Sequence, residues 1–145
     1  MTPASLEKEQ LRLYIIDDDE LFHIIHTRML KMWLSDCQII SFTDPVEALH
    51  TLTEEFGSQR NSRPPIVPIV LLDINMPCIS GWEWLERFTF NLPEWPSLLK
   101  IAMLSSSVSP DDVQQAKSHP LLSGYFTKPL TQSLVEKIMH LKEKK

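Results

Sequence analysis

Residues 66–81 read IVPIVLLDINMPCISG, and the reading of this stretch decides the fold. A run of β-branched residues and leucines stops at a single carboxylate, Asp73, and a turn-rich loop follows. Near-continuous apolar runs of this kind read as the central strand of a parallel sheet, buried on both faces. A carboxylate just past such a strand lies at the sheet's C-terminal edge, where open α/β folds put their ligand sites.

Upstream, Leu11–Ile16 is a second apolar run that stops at carboxylates, Asp17, Asp18 and Asp19. Asp19 is suited to cap the helix that follows, in which Leu21, Ile24, Ile25, Met29, Met32 and Trp33 recur at helical spacing. Ile39–Phe42 is short and β-like. Asp44-Pro45-Val46-Glu47 then supplies a cap, a first-turn proline and an acid for a helix with Val46, Leu49 and Leu52 on one side. Residues 56–65 read as a polar connector, and residues 1–9 as a loose polar start.

Downstream of Gly81, Trp84, Leu85 and Phe88 mark a helix to about Asn91, and Pro93 and Pro96 hold an extended link. Ile101–Leu104 is a fourth strand, ending in Ser105, Ser106 and Ser107. Ser109-Pro110-Asp111-Asp112 is again a cap, proline and acid. A fifth strand is centred on Tyr125 and Phe126 and closes with Thr127, Lys128 and Pro129. Thr131 caps a last helix whose inward residues are Leu134, Val135, Ile138 and Leu141. Strands alternating with helices predict an α/β fold, a five-stranded parallel sheet doubly wound with five helices. The order expected is 2-1-3-4-5, which makes strands one and three neighbours at the switch point.

Composition narrows the function. The chain has 145 residues, 43% of them apolar, about one domain's worth with its core over residues 11–141. Its net charge of −5, without a dense basic cluster, argues against direct nucleic-acid binding. The basic end, Lys142–Lys145, is better read as charge matching a helix dipole. No apolar run approaches the ~20 residues a membrane crossing needs, and the first residues lack the pattern of a signal peptide. Cys37 and Cys78 suit neither a metal cluster nor a disulfide scaffold and fit a reducing cytoplasm.

Four of the five expected strands end in residues suited to a phosphoryl group: the Asp17/Asp18 pair, Asp73, Ser105 and Lys128. In the expected order the three carboxylates share one pocket. At ~4 Å and an effective dielectric of ~20, each like-charged pair costs about 4 kcal/mol, so a cation or a proton is required. Mg²⁺ fits an all-oxygen donor set and leaves positions for phosphate oxygens. One carboxylate then serves as the nucleophile of an aspartyl phosphate, with the lysine as a point charge for the phosphate.

IIDDDE, LLDINMPCISG and YFTKP, in this order and on these strands, resemble the acidic, phosphoacceptor and lysine motifs of the two-component response regulator receiver domains. The resemblance, to the chemotaxis-type members, covers roughly Leu11–Leu141. It implies that Asp73 is the phosphoacceptor, and that Asp18 holds Mg²⁺ directly while Asp17 does so largely through water. The Asn75 backbone carbonyl would complete the metal's protein ligands. Ser105 and Lys128 would contact the phosphoryl group, Lys128–Pro129 would be cis, and Tyr125 would occupy the aromatic switch position coupled to Ser105. Asn75 and Ser107 stand at the places that modulate phosphate lifetime.

The implied function is a phosphorylation-dependent switch rather than an enzyme, with only self-phosphorylation and autodephosphorylation chemistry. Its donor would be a sensor histidine kinase or phosphotransfer protein. Its downstream protein target would meet the face of the fourth helix, fifth strand and fifth helix, with no membrane partner. The chain's end soon after the fifth helix sets the expectation of a stand-alone regulator, with a receiver excised from a larger protein as the alternative. One rival is a Mg²⁺-dependent phosphohydrolase, which Asn75 disfavours because that position commonly holds the general acid. The other is a phosphorylation-independent module of the same fold. Elsewhere, the neighbours favour plain roles: a cap for Asp19, packing or surface for His23 and His26, and packing for Trp82, Trp84, Phe88 and Trp95. Cys78 has no basic neighbour in the sequence, so a redox role is not expected.

Overall fold

Strands and helices alternate through the described residues: β1 (Gln10–Ile16), α1 (Glu20–Trp33), β2 (Cys37–Phe42), α2 (Pro45–Ser58), β3 (Ile66–Asp73), α3 (Gly81–Asn91), β4 (Lys100–Ser105), α4 (Pro110–Ser118), β5 (Leu122–Thr127) and α5 (Gln132–Met139). The computed structural model describes residues 10–34, 36–58, 66–92, 94–95, 99–106 and 109–141. The polar start, residues 59–65 of the connector, Pro93 and Pro96, Ser107 and Lys142–Lys145 lie outside them.

All strand pairs are parallel, and the sheet runs β2-β1-β3-β4-β5 as expected. Pro68 would ordinarily disqualify β3 from the centre of a sheet, because it donates no ladder hydrogen bond. It is tolerated because the ladder with β4 starts only at Ile69, paired with Lys100. At Pro68 the strand is still an edge on that side.

Alternation along the strands divides the core. Tyr14, Ile16, Val70 and Leu72 face α2, α3 and α4, where Leu52, Phe56, Trp84 and Phe88 meet them. Leu13, Ile15, Ile69 and Leu71 face α1 and α5, with Phe22, Leu30, Val135 and Ile138. Helices therefore cover both faces, as a doubly wound sheet requires.

Local signals hold at most helix starts. Asp19 accepts from the Leu21 and Phe22 amides, Asp44 from Val46 and Glu47, and Thr131 from Leu134. Ser109 sits at the α4 cap position, but its hydroxyl makes no capping bond; Pro110 alone marks that start. Helix α2 continues to Ser58, beyond the expected connector start, because Phe56 is buried against Tyr14 and Phe88. Val46 is exposed, and Ala48, Leu52 and Phe56 form the inward side of α2 instead. Val135 and Ile138 point inward from α5, and Leu134 and Leu141, the latter just past the helix end, pack partly buried against the same cluster.

Helix α1 departs furthest from its pattern. Leu21, Ile24, Ile25 and Met32 are 62, 59, 46 and 80% exposed, and the buried residues are Phe22, His23, His26 and Leu30.

Candidate functional site

The strand register assembles the site. Ile16 pairs with Leu72, so Asp17 and Asp73 follow side by side at the ends of β1 and β3. Asp73 pairs with Leu104, which puts Ser105 one step further along β4. Ser105 in turn pairs with Thr127, and Lys128 follows. One backbone bond ties two of these ends together, Lys128 donating to the Ser105 carbonyl at 2.8 Å, and another ties Asp17 to the end of β2, its amide donating to the Phe42 carbonyl at 3.1 Å. The Lys128–Pro129 bond is cis.

The loop after Asp73 is held by apolar anchors and one glycine. Ile74, Met76 and Ile79 are buried in the core. The Gly81 amide donates to the Ile74 carbonyl at 2.8 Å, and a Cβ on Gly81 would stand 2.5 Å from the Asp73 carbonyl oxygen. Only a residue without a side chain permits that approach, so Gly81 sets where α3 begins relative to Asp73.

Asp17, Asp18 and Asp73 each offer a carboxylate oxygen within 4.8 Å of the others. Asp17 and Asp73 are buried, and Asp18 is exposed at the rim. Lys128 Nζ lies 2.5 Å from Asp17 Oδ2 and 3.6 Å from Asp73 Oδ2. Asp17 Oδ1 accepts from the Asp19 amide at 2.9 Å, and Asp73 Oδ1 accepts from the Asn75 amide at 3.4 Å. Burial, then the charges of Asp17 and Asp18, push the Asp73 carboxyl up to about 6 against the opposing pull of Lys128 and the Asn75 amide. Three carboxylates thus face one ammonium, and a hard cation with oxygen ligands suits the negative charge that remains.

Ser105 is fully buried at the adjoining strand end, and Tyr125 is half-buried against the core beneath α2 to α4. The Asn75 side chain is exposed. Sequence reasoning missed three supporting residues. Lys128 Nζ sits 4.5 Å from the centre of the Phe22 ring. His23 Nε2 donates to the Asp17 carbonyl at 2.6 Å, which steadies the acidic turn. Gly81 is the third. The available signal was position: α1 starts at once after the carboxylates, so its first inward residues must touch the site. Gly81 is also one of only three glycines in the chain.

The family model for the response regulator receiver domain matches residues 13–140, most of the chain. This chain belongs to that family. Among solved structures, the receiver resembles a two-component response regulator from Cytophaga hutchinsonii, with a TM-score of 0.76 and 27% identity over 91% of this chain and 96% of that one. A response regulator receiver protein from Dyadobacter fermentans shares the fold at a TM-score of 0.70, with 24% identity, 89% of this chain and 98% of that one. A CheY-like receiver domain protein from Methanospirillum hungatei gives 0.58 and 28% identity over 88% and 90% of the two chains. No curated protein matches the receiver. Members of the family are signalling switches rather than dedicated enzymes. Among the described residues, no helix is long and apolar enough to cross a membrane.

Proposed function

We propose that the receiver, acting as one unit over Leu11–Leu141, is a switch driven by phosphorylation of Asp73. The observation that carries this reading is the set of three carboxylates and one ammonium at a single sheet edge. The donor is a phosphohistidine of a sensor kinase or phosphotransfer protein. An ionised Asp73 oxygen attacks phosphorus, the new P–O bond forms as the P–N bond breaks, and the imidazole leaves. Asp17, Asp18, Asp73 and the Asn75 carbonyl are the groups that would hold Mg²⁺. That ion, when bound, supplies charge neutralisation for the carboxylates and the incoming phosphoryl oxygens.

Once Asp73 carries the phosphoryl group, the added negative charge attracts the Lys128 ammonium and the Ser105 hydroxyl. Both belong to strand ends joined by the Lys128–Ser105 backbone bond, so movement at one is felt at the other. Tyr125, two residues before Thr127, is the side chain through which that movement reaches the surface of α4, β5 and α5. A downstream protein target reads that surface. The exposed apolar stripe of α1 begins next to Asp18 and suits the apolar side of a helical donor. The setting we infer is the cytoplasm, where Cys37 and Cys78 stay reduced.

Intact mass after incubation with acetyl phosphate tests the reading. One added phosphoryl group that requires Mg²⁺ and is lost in Asp73→Asn is expected. Absence of the adduct from both acetyl phosphate and a phosphohistidine donor would overturn it.

A further inference from the structure

The Lys128 ammonium lies over the ring of one residue of α1, Phe22. Phe22 is buried on the inward side of α1, and the Lys128 ammonium lies 4.5 Å from its ring centre. His26, one turn on, stacks against Phe22 with ring centres 4.0 Å apart and 22° between planes. The His26 ring is itself held, since Nδ1 donates to the Phe22 carbonyl at 2.9 Å. The Phe22 ring therefore meets both an imidazole and an ammonium.

We propose that Phe22, backed by His26, is a positioning residue that holds the Lys128 ammonium over the acidic pocket. The inference rests on the role of Lys128 given above and adds the element that keeps the lysine there. In the described state Lys128 is held mainly by Asp17 and Asp73. Those are also the carboxylates a divalent cation would claim. With them engaged, a lysine on a flexible four-carbon stem would be free to turn towards solvent. The face of an aromatic ring attracts an ammonium without competing for metal or phosphate. It leaves the lysine mobile enough to swing from a carboxylate to a phosphoryl oxygen. Phe22 sets the approach of the charge, and His26 sets the plane of the ring.

The test uses the full chain with ¹³C-labelled lysine, assigning Lys128 by its loss in Lys128→Arg. The ring should shift the Lys128 ε-methylene protons upfield of the other lysines in the unmodified protein. Phe22→Leu should abolish that shift, and Phe22→Tyr should keep it. The rate of acetyl phosphate labelling should fall roughly 3- to 30-fold in Phe22→Leu, the range for losing a cation–π contact, and recover in Phe22→Tyr. Mg²⁺ affinity should be unchanged in both. An unshifted Lys128 signal in the wild-type protein overturns the placement even if Phe22→Leu does not fold. Equal labelling rates in a folded Phe22→Leu overturn the function of the contact. If the wild type takes up no phosphoryl group from either acetyl phosphate or a phosphohistidine donor, the reading of Asp73 fails, while the lysine signal still decides whether Phe22 holds Lys128.

Discussion

Helices α1 and α3 each start just past a carboxylate-bearing strand, and each carries large apolar side chains at helical spacing. They use them in opposite directions. Trp84, Leu85 and Phe88 of α3 are fully buried, and Trp84 donates its indole N–H to the Pro45 carbonyl at 2.9 Å. In α1, Leu21, Ile24, Ile25 and Met32 face solvent, and the buried side carries Phe22, His23, His26 and Leu30. Periodicity locates a stripe on a helix; it does not say which way the stripe turns. Where a helix must deliver chemistry, its inward face is given over to that chemistry.

The largest effect that could break this contrast is on stability. Trp84→Ala removes a fully buried ring stacked on Phe88 and leaves a cavity between α3 and the sheet. A loss of about 3–5 kcal/mol is expected, read from the urea midpoint. Ile24→Ala, of comparable apolar character by sequence, should stay within about 0.5 kcal/mol. Similar losses at the two positions would mean that the α1 stripe is packed, and the contrast would fail.

A second, smaller effect separates the carboxylates that precede the two helices. Lys128 lies closer to Asp17, before α1, than to Asp73, before α3. The Asp73 carboxyl is raised to about 6, above the ordinary value near 3.9, so the folded state favours its protonated form. Its stability contribution is then full below about pH 4 and is lost as pH rises through about 6. Without divalent cation, the wild type should lose on the order of 2 kcal/mol relative to Asp73→Asn across that window. Mg²⁺ should reverse the loss above pH 6. A difference curve that is flat with pH would show that Asp73 is already neutralised by Lys128.

The same contrast explains what could be read from the chain. Five strands and the four chemistry-bearing ends were legible because four strands stop at such residues and parallel strands share one edge, whereas the order expected was the common one for a doubly wound sheet. The site motifs are contiguous in sequence, so Asp17, Asp73, Ser105 and Lys128 could be named directly. Phe22 was hidden because it stands out of phase with the stripe of Leu21, Ile24 and Ile25. His23 and His26 gave no hint that they lie inward, since a buried histidine needs partners that only the fold supplies. The end of α2 was misjudged for a related reason: polar residues around Phe56 outweighed one ring that the core accepts.

The outward stripe of α1 is tested by separating two kinds of donor. Under the proposed function, acetyl phosphate needs only the pocket, whereas a phosphohistidine protein would dock beside Asp18 to bring its phosphorus to Asp73. Leu21, Ile24 and Ile25 are the exposed apolar residues nearest that entrance along α1. The double variant Leu21→Ser, Ile24→Ser removes apolar area that is already in water, so folding stability should change by no more than about 0.5 kcal/mol per site. Labelling by acetyl phosphate should match the wild type. Transfer from a cognate protein donor should fall at least about tenfold in kcat/KM, the equivalent of roughly 1.4 kcal/mol of lost contact. Parallel losses with both donors would place the effect in the pocket. Unchanged transfer from the protein would show that the donor approaches from another side, leaving the stripe to a different partner.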